Sequence, residues 1–129
     1  MALENERVIL IIEDEVPLLR SYGELLKSAG YNVLLAENGY KGLEILSSNV
    51  GGIDLILLDL MMPGIDGLDV LRTINKDHSK YGDMPIVILT RMKNETIVKE
   101  TFDLGVSSYL VKTDTDASGL LKEIDKFLG

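Results

Sequence analysis

Apolar residues fall into five short runs along the chain, at 8–12, 33–36, 53–58, 85–89 and 109–111. Each is too short for an ordinary helix and is bounded by polar or turn-forming residues, so the pattern predicts five strands, β1 to β5 in chain order. Between the first two, Leu18, Leu19, Tyr22, Leu25, Leu26 and Ala29 recur at helical spacing, with Pro17 favouring the start and Gly30 placed to end it. This predicts α1 over 17–29. Weaker versions of the same period predict α2 over 39–47, α3 over 68–75, α4 over 95–104, stopped by Gly105, and α5 over 118–128. Strands alternating with helices point to an α/β chain with a mostly parallel sheet, since parallel neighbours need a crossover that a helix can supply. The polar stretch 75–84 is expected to be a surface loop, with His78 as one of its solvated residues.

Composition bounds this picture. A chain of 129 residues that is 46% hydrophobic is large enough to bury one core. No repeat, low-complexity tract or linker divides it, so residues 1–129 are read as a single domain. Twenty-one acidic residues against thirteen basic ones leave a formal charge of -8. That charge opposes attraction to nucleic-acid phosphates and anionic membranes, so direct binding to either is not expected. No cysteine is present, which removes disulfides, thiolate metal sites and thiol catalysis and agrees with a reducing compartment. Residues 1–7 are charged, and no apolar run approaches the roughly 20 residues that span a bilayer. A cytoplasmic protein is expected.

The candidate chemistry lies where strands end. β1 runs into Glu13, Asp14 and Glu15, and β3 runs into Asp59. The C-terminal edge of a parallel sheet is where open α/β folds bind ligands. Carboxylates gathered there repel one another unless a cation compensates, and a few oxygen ligands completed by water suit Mg²⁺ better than zinc, which favours His and Cys. β4 ends at Thr90 and β5 at Lys112, adding a hydroxyl and an ammonium that, with a metal, can neutralise the oxygens of a phosphoryl group. Taken one at a time, each of these residues has a plain alternative as a helix cap, a turn residue or an ordinary strand end.

Four segments together resemble the signatures of response-regulator receiver domains: Ile11-Ile12-Glu13-Asp14-Glu15, Leu57-Leu58-Asp59-Leu60-Met61-Met62-Pro63-Gly64-Ile65-Asp66-Gly67, Ile88-Leu89-Thr90 and Tyr109-Leu110-Val111-Lys112. The likeness covers essentially the whole chain. It implies a flavodoxin-like (CheY-like) three-layer α/β/α sandwich with a five-stranded parallel sheet in the order 2-1-3-4-5. It implies that Asp59 takes a phosphoryl group from a sensor histidine kinase or a histidine phosphotransfer protein. Mg²⁺ would be held by Asp14, Asp59 and the backbone carbonyl of Met61, with Glu13 acting through a metal-bound water. Lys112 would pair with one phosphoryl oxygen and Thr90 would bond another. Tyr109 matches the aromatic switch position, although it can equally be a half-buried strand aromatic. The same resemblance implies a signalling switch with slow self-dephosphorylation, whose α4-β5-α5 face controls an output domain, a partner protein or a phosphorylation-dependent homodimer.

Two positions depart from the family pattern. Thr113 follows Lys112 where proline, joined by a cis peptide, is usual; a trans peptide is expected here, because a non-proline cis bond costs about 2.5–4 kcal/mol. Arg91 follows Thr90 where a small residue is usual. It is either a solvated loop arginine or a cation at the mouth of the site that tunes phosphoryl lifetime.

Three other classes fit less well. A phosphohydrolase using Asp59 covalently needs a second acid for the leaving group, and Met61 stands where an Asp-x-Asp motif would supply it. A flavin carrier of this topology needs a phosphate-cradling loop after β1, where Glu13, Asp14 and Glu15 would repel the phosphate. A degenerate receiver acting as a constitutive binding module would not be expected to retain every site residue.

Overall fold

The computed structural model describes residues 6–129. The charged stretch 1–7 therefore lies mostly outside the described residues. Five parallel strands, β1 (Val8–Ile12), β2 (Asn32–Ala36), β3 (Leu55–Leu58), β4 (Ile86–Thr90) and β5 (Ser108–Val111), form one sheet in the order β2-β1-β3-β4-β5. The expected α/β fold and strand order are both present.

Five main helices connect the strands: α1 (Val16–Ser28), α2 (Gly39–Ser48), α3 (Gly67–Lys76), α4 (Glu95–Asp103) and α5 (Ala117–Leu128). They cover both faces of the sheet, and the alternation of side chains along β1 shows how. Ile9 and Ile11 pack with Leu19 and Leu26 of α1 and with Leu120, Ile124 and Leu128 of α5. Leu10 and Ile12 pack on the other side with Leu46 of α2 and with Val70, Leu71 and Ile74 of α3. A strand buried on two faces has no position for a polar side chain, which is why β1 and β3 read as unbroken apolar runs.

Element limits differ from the sequence reading by a residue or two. β3 begins at Leu55 rather than at 53, and the carboxylate of Asp54 accepts the Val8 amide at 2.8 Å. The stretch 75–84, expected to be a plain loop, contains a one-turn helix, His78–Tyr81, capped by Asp77, whose side chain accepts the Lys80 amide. His78 is exposed in this turn, with Nδ1 3.0 Å from the Gly82 carbonyl oxygen. This turn precedes β4, at the end of the sheet opposite the acidic residues. Gly30 and Gly105 follow α1 and α4 with φ of 97° and 91°, the left-handed conformation that ends helices and that only glycine adopts freely.

The segment between β3 and α3 requires two glycines. Gly64 has φ of 77°. Gly67 has no room for a side chain, since a Cβ there would lie 2.5 Å from the Asp59 carbonyl oxygen and 2.7 Å from Leu60 Cα. The N-terminus of α3 is thus pressed against the backbone that carries Asp59. A capping box fixes it there: Asp66 accepts the Asp69 amide, and Asp69 accepts the Asp66 amide.

Candidate functional site

Glu13, Asp14, Asp59, Thr90 and Lys112 each stand at or just beyond the C-terminal end of a strand. β1 delivers Glu13, whose amide bonds to the Ala36 carbonyl at 3.0 Å and so continues the β1–β2 pairing one residue past the strand. β3 delivers Asp59, whose amide bonds to the Ile12 carbonyl at 3.1 Å. Extended backbone therefore holds both carboxylates to the edge. They are buried, Glu13 at 2% exposure and Asp59 at 5%. Asp14 is half-buried beside them, and one carboxylate oxygen from each of the three lies within 4.8 Å of the others.

Lys112, at the end of β5, reaches across to this group. Its Nζ donates to Glu13 Oε1 at 2.6 Å and to Asp59 Oδ2 at 2.8 Å, with the Lys112 side chain only 8% exposed. Glu13 Oε2 accepts the Glu15 amide at 3.1 Å, and Asp59 Oδ1 accepts the Met61 amide at 3.1 Å. Lys112 thus bridges two of the three clustered carboxylates, and the electrostatics follow. Burial pushes the Glu13 carboxyl above its usual range; the Lys112 and Glu15 hydrogen bonds oppose the shift without cancelling it, and the nearby Asp59 charge adds to it. Burial alone would pull Lys112 down, but its hydrogen bonds to Asp59 and Glu13 outweigh that and raise it.

Thr90 closes β4, the strand beside the one that carries Asp59, and is completely buried. Its hydroxyl oxygen, Oγ1, has no hydrogen-bond partner, the one such buried side-chain atom among the described residues. Buried hydroxyls are normally bonded, so an orphan demands an explanation. Tyr109, on β5, is half-buried and donates from its hydroxyl to the Met92 carbonyl at 2.8 Å, which ties it to the loop after Thr90; burial, then the Asp59 charge, raises its pKa. Met61, read as a backbone-carbonyl ligand, is 56% exposed just past Asp59. No cis peptide occurs among the described residues, so Lys112–Thr113 is trans, and these residues open a short 3-10 turn, Lys112–Asp114.

Two neighbours of the site were not legible from local patterning. Tyr22 belongs to the apolar pattern of α1, yet it stands beside the site: burial raises its pKa, with smaller effects from the charges of Lys112, Glu13, Asp59 and Arg91. Glu15 was visible only as part of an acidic run, whereas in the structure it pairs with Arg91 at 3.3 Å, 76 residues away. No local period carries a separation of that length.

The fold and its edge define a doubly wound α/β protein with a buried acidic cluster, a lysine and an unbonded hydroxyl at the strand ends. The chain belongs to the family of response regulator receiver domains, whose pattern matches residues 9–125. It is 38% identical over 112 residues to the transcriptional regulatory protein ResD of Bacillus subtilis, covering 84% of this chain and 42% of that protein. It is 34% identical over 108 residues to the transcriptional regulatory protein CpxR of Escherichia coli K12, covering 84% of this chain and 44% of that one. The chain thus spans less than half the length of these relatives. Among solved structures it resembles the chemotaxis protein CheY4 of Vibrio cholerae, with a TM-score of 0.84 at 25% identity over 94% of this chain and 98% of that one. Among the described residues, no helix is long and apolar enough to cross a membrane.

Proposed function

We propose that Asp59 is the phosphoacceptor of this receiver domain and that Mg²⁺ is held beside it. The observation that carries this reading is the buried, unbonded hydroxyl of Thr90 on the strand next to Asp59. A hydroxyl sealed from water without a partner is costly unless a ligand brings the missing group, and a phosphoryl group on Asp59 would bring acceptor oxygens to this edge.

The donor set fits a hard divalent cation. Glu13, Asp14 and Asp59 offer carboxylate oxygens within 4.8 Å of one another, and the Met61 carbonyl supplies a further oxygen from the same segment. Bound there, Mg²⁺ would offset the negative charge that otherwise keeps a carboxylate from a phosphoryl group. In the transfer, an Asp59 carboxylate oxygen forms a bond to phosphorus as the donor's P–N or P–O bond breaks, and the leaving group keeps that electron pair: a histidine ring nitrogen departs protonated as neutral imidazole, whereas the acetate of acetyl phosphate departs as the anion. Lys112, already on Asp59, turns to a phosphoryl oxygen, and the Thr90 hydroxyl donates to another. Tyr109, tied through Met92 to the loop after Thr90, relays the change to the α4-β5-α5 face.

A sensor histidine kinase or histidine phosphotransfer protein is the proposed donor, and a partner protein, an output domain or a second copy is the proposed reader of that face. In this reading residues 1–129 act as one domain that switches rather than turns over a substrate. Intact-mass measurement after incubation with acetyl phosphate tests the acceptor. One added phosphoryl group is expected in the presence of Mg²⁺ and none after chelation. Asp59→Asn should remain unlabelled, and equal labelling of the two proteins would overturn the assignment.

A further inference from the structure

The Arg91–Glu15 pair lies where it can govern access to Asp59. Glu15 follows β1 and Arg91 follows β4, and in the sheet order these two strands lie on either side of β3. A bridge between their C-terminal ends therefore has to cross the end of β3, where Asp59 stands. Two strand spacings, roughly 9.5 Å, separate β1 from β4, and the two long side chains close that gap. The pair is a fork on a carboxylate, with Nη1 at 3.3 Å from Oε1 and Nη2 at 3.4 Å from Oε2.

Both ends are continuous with the site. The Glu15 amide donates to Glu13 Oε2, and Arg91 directly follows Thr90. The same loop is held at two more points, by the Tyr109 hydroxyl on the Met92 carbonyl and by Lys93 on Asp114 at 3.3 Å. Arg91 thus stays close to the reaction centre even when its side chain lets go of Glu15.

Letting go is easy. The Arg91 and Glu15 side chains are 59% and 44% exposed, and exposed pairs of this kind are weak and screened by salt. A guanidinium fork matches a phosphoryl group as well as it matches a carboxylate. The remaining charge at the mouth is unwelcoming to an anionic donor, since three carboxylates cluster there and only Lys112, bonded to Glu13 and Asp59, stands against them.

We propose that Arg91 is a donor-recognition residue that Glu15 holds in reserve: when a phosphodonor arrives, the guanidinium leaves the carboxylate and takes an oxygen of the incoming phosphoryl group. Glu15 is then the positioning residue that keeps the fork over Asp59. This inference rests on the phosphoacceptor reading above.

A double-mutant cycle on the whole chain tests it, with acetyl phosphate as the probe, Mg²⁺ saturating, and intact mass as the readout of initial rate against donor concentration. Arg91→Ala should raise the half-saturating donor concentration roughly two- to fivefold, the scale of an exposed, screened charge contact. The maximal rate should change far less. Glu15→Gln should lower the half-saturating concentration, and most of that gain should vanish in the Arg91→Ala background, because a freed guanidinium is its source. Arg91→Lys should restore part of the loss, having the charge without the fork. Equal Mg²⁺ affinities and melting temperatures across the set separate recognition from misfolding. Additive effects of the two substitutions would overturn the proposal, and so would faster labelling of Arg91→Ala at every donor concentration, which would make the pair a mere obstruction. If the wild type itself took up no phosphoryl group, the underlying reading would fail; a labelled wild type with an additive cycle would remove this inference alone.

Discussion

At the residue scale, Tyr31 shows how one buried hydroxyl joins distant parts of the chain. It is 5% exposed at the start of β2 and donates to the Asp125 carboxylate on α5. Burial, then the bond to Asp125, pushes its pKa up to about 12 from 10. A raised pKa means that the native state holds its proton more tightly than the unfolded chain does. The resulting stability is complete below pH 10 and is lost as pH rises through about 12. Tyr31→Phe should cost about 1 kcal/mol near neutrality, and its denaturant midpoint should fall less steeply than that of the wild type between those two pH values. Lys112 presents a sharper case, with one ammonium between two buried carboxylates. Its raised pKa places its own contribution fully below 10.5, to be lost as pH rises through the native value. Lys112→Ala should destabilise by about 3 kcal/mol at pH 7, because it leaves two buried charges uncompensated. The loss should be smaller at pH 5 than at pH 7, because burial already holds the Glu13 carboxyl above its usual range, so it sheds its uncompensated charge sooner as pH falls. Urea melts at the two pH values check this, and an equal loss at both would show that Lys112 acts through packing alone.

At the scale of elements, the segment from β3 to α3 decides how rigidly Asp59 is presented. Gly67 lets α3 start against the Asp59 carbonyl, and the Asp66–Asp69 capping box holds it there. A methyl group at 67 would meet backbone, which cannot step aside as a flexible side chain can. Gly67→Ala should therefore cost about 2 kcal/mol, the scale of overpacking in a close contact, and should also weaken Mg²⁺ binding by displacing Asp59. Calorimetric titration with Mg²⁺ beside a urea melt reads both, and unchanged affinity in a destabilised variant would separate the glycine from the site. Pro63, Gly64 and Gly67 were visible in the sequence only as parts of the motif that follows Asp59. The reason for the last of them appears only when α3 is seen lying on the strand end.

At the scale of the whole molecule, the site is a charge imbalance built into a stable edge. Three carboxylates face one ammonium on a chain whose formal charge is already -8. A divalent cation that binds only the folded state should raise its stability by mass action, by about 2.7 kcal/mol at one hundred times the dissociation constant. Thermal melts with and without Mg²⁺ should show that rise. Asp14→Ala should melt at or above the wild-type temperature without metal, having lost one of the crowded charges, and should respond little to Mg²⁺. A wild-type melting temperature unmoved by saturating Mg²⁺ would count against the metal site.

The sequence alone determined the alternation of strands and helices, because strands buried on both faces must be apolar throughout and helices covering them must be apolar on one side. It also singled out Glu13, Asp14, Asp59, Thr90 and Lys112, since polar residues that end apolar strands stand out from what precedes them. Tertiary structure decided which of these touch. Lys112 lies between Glu13 and Asp59, and the Thr90 hydroxyl is sealed without a partner; both follow from strand order and register. It alone disclosed that Glu15 and Arg91 meet across the end of β3, and that Gly67 is pressed against the Asp59 carbonyl. Periodicity reports a residue's own environment over a few neighbours, whereas contacts between loops at the edge of a sheet are set by how distant strands line up.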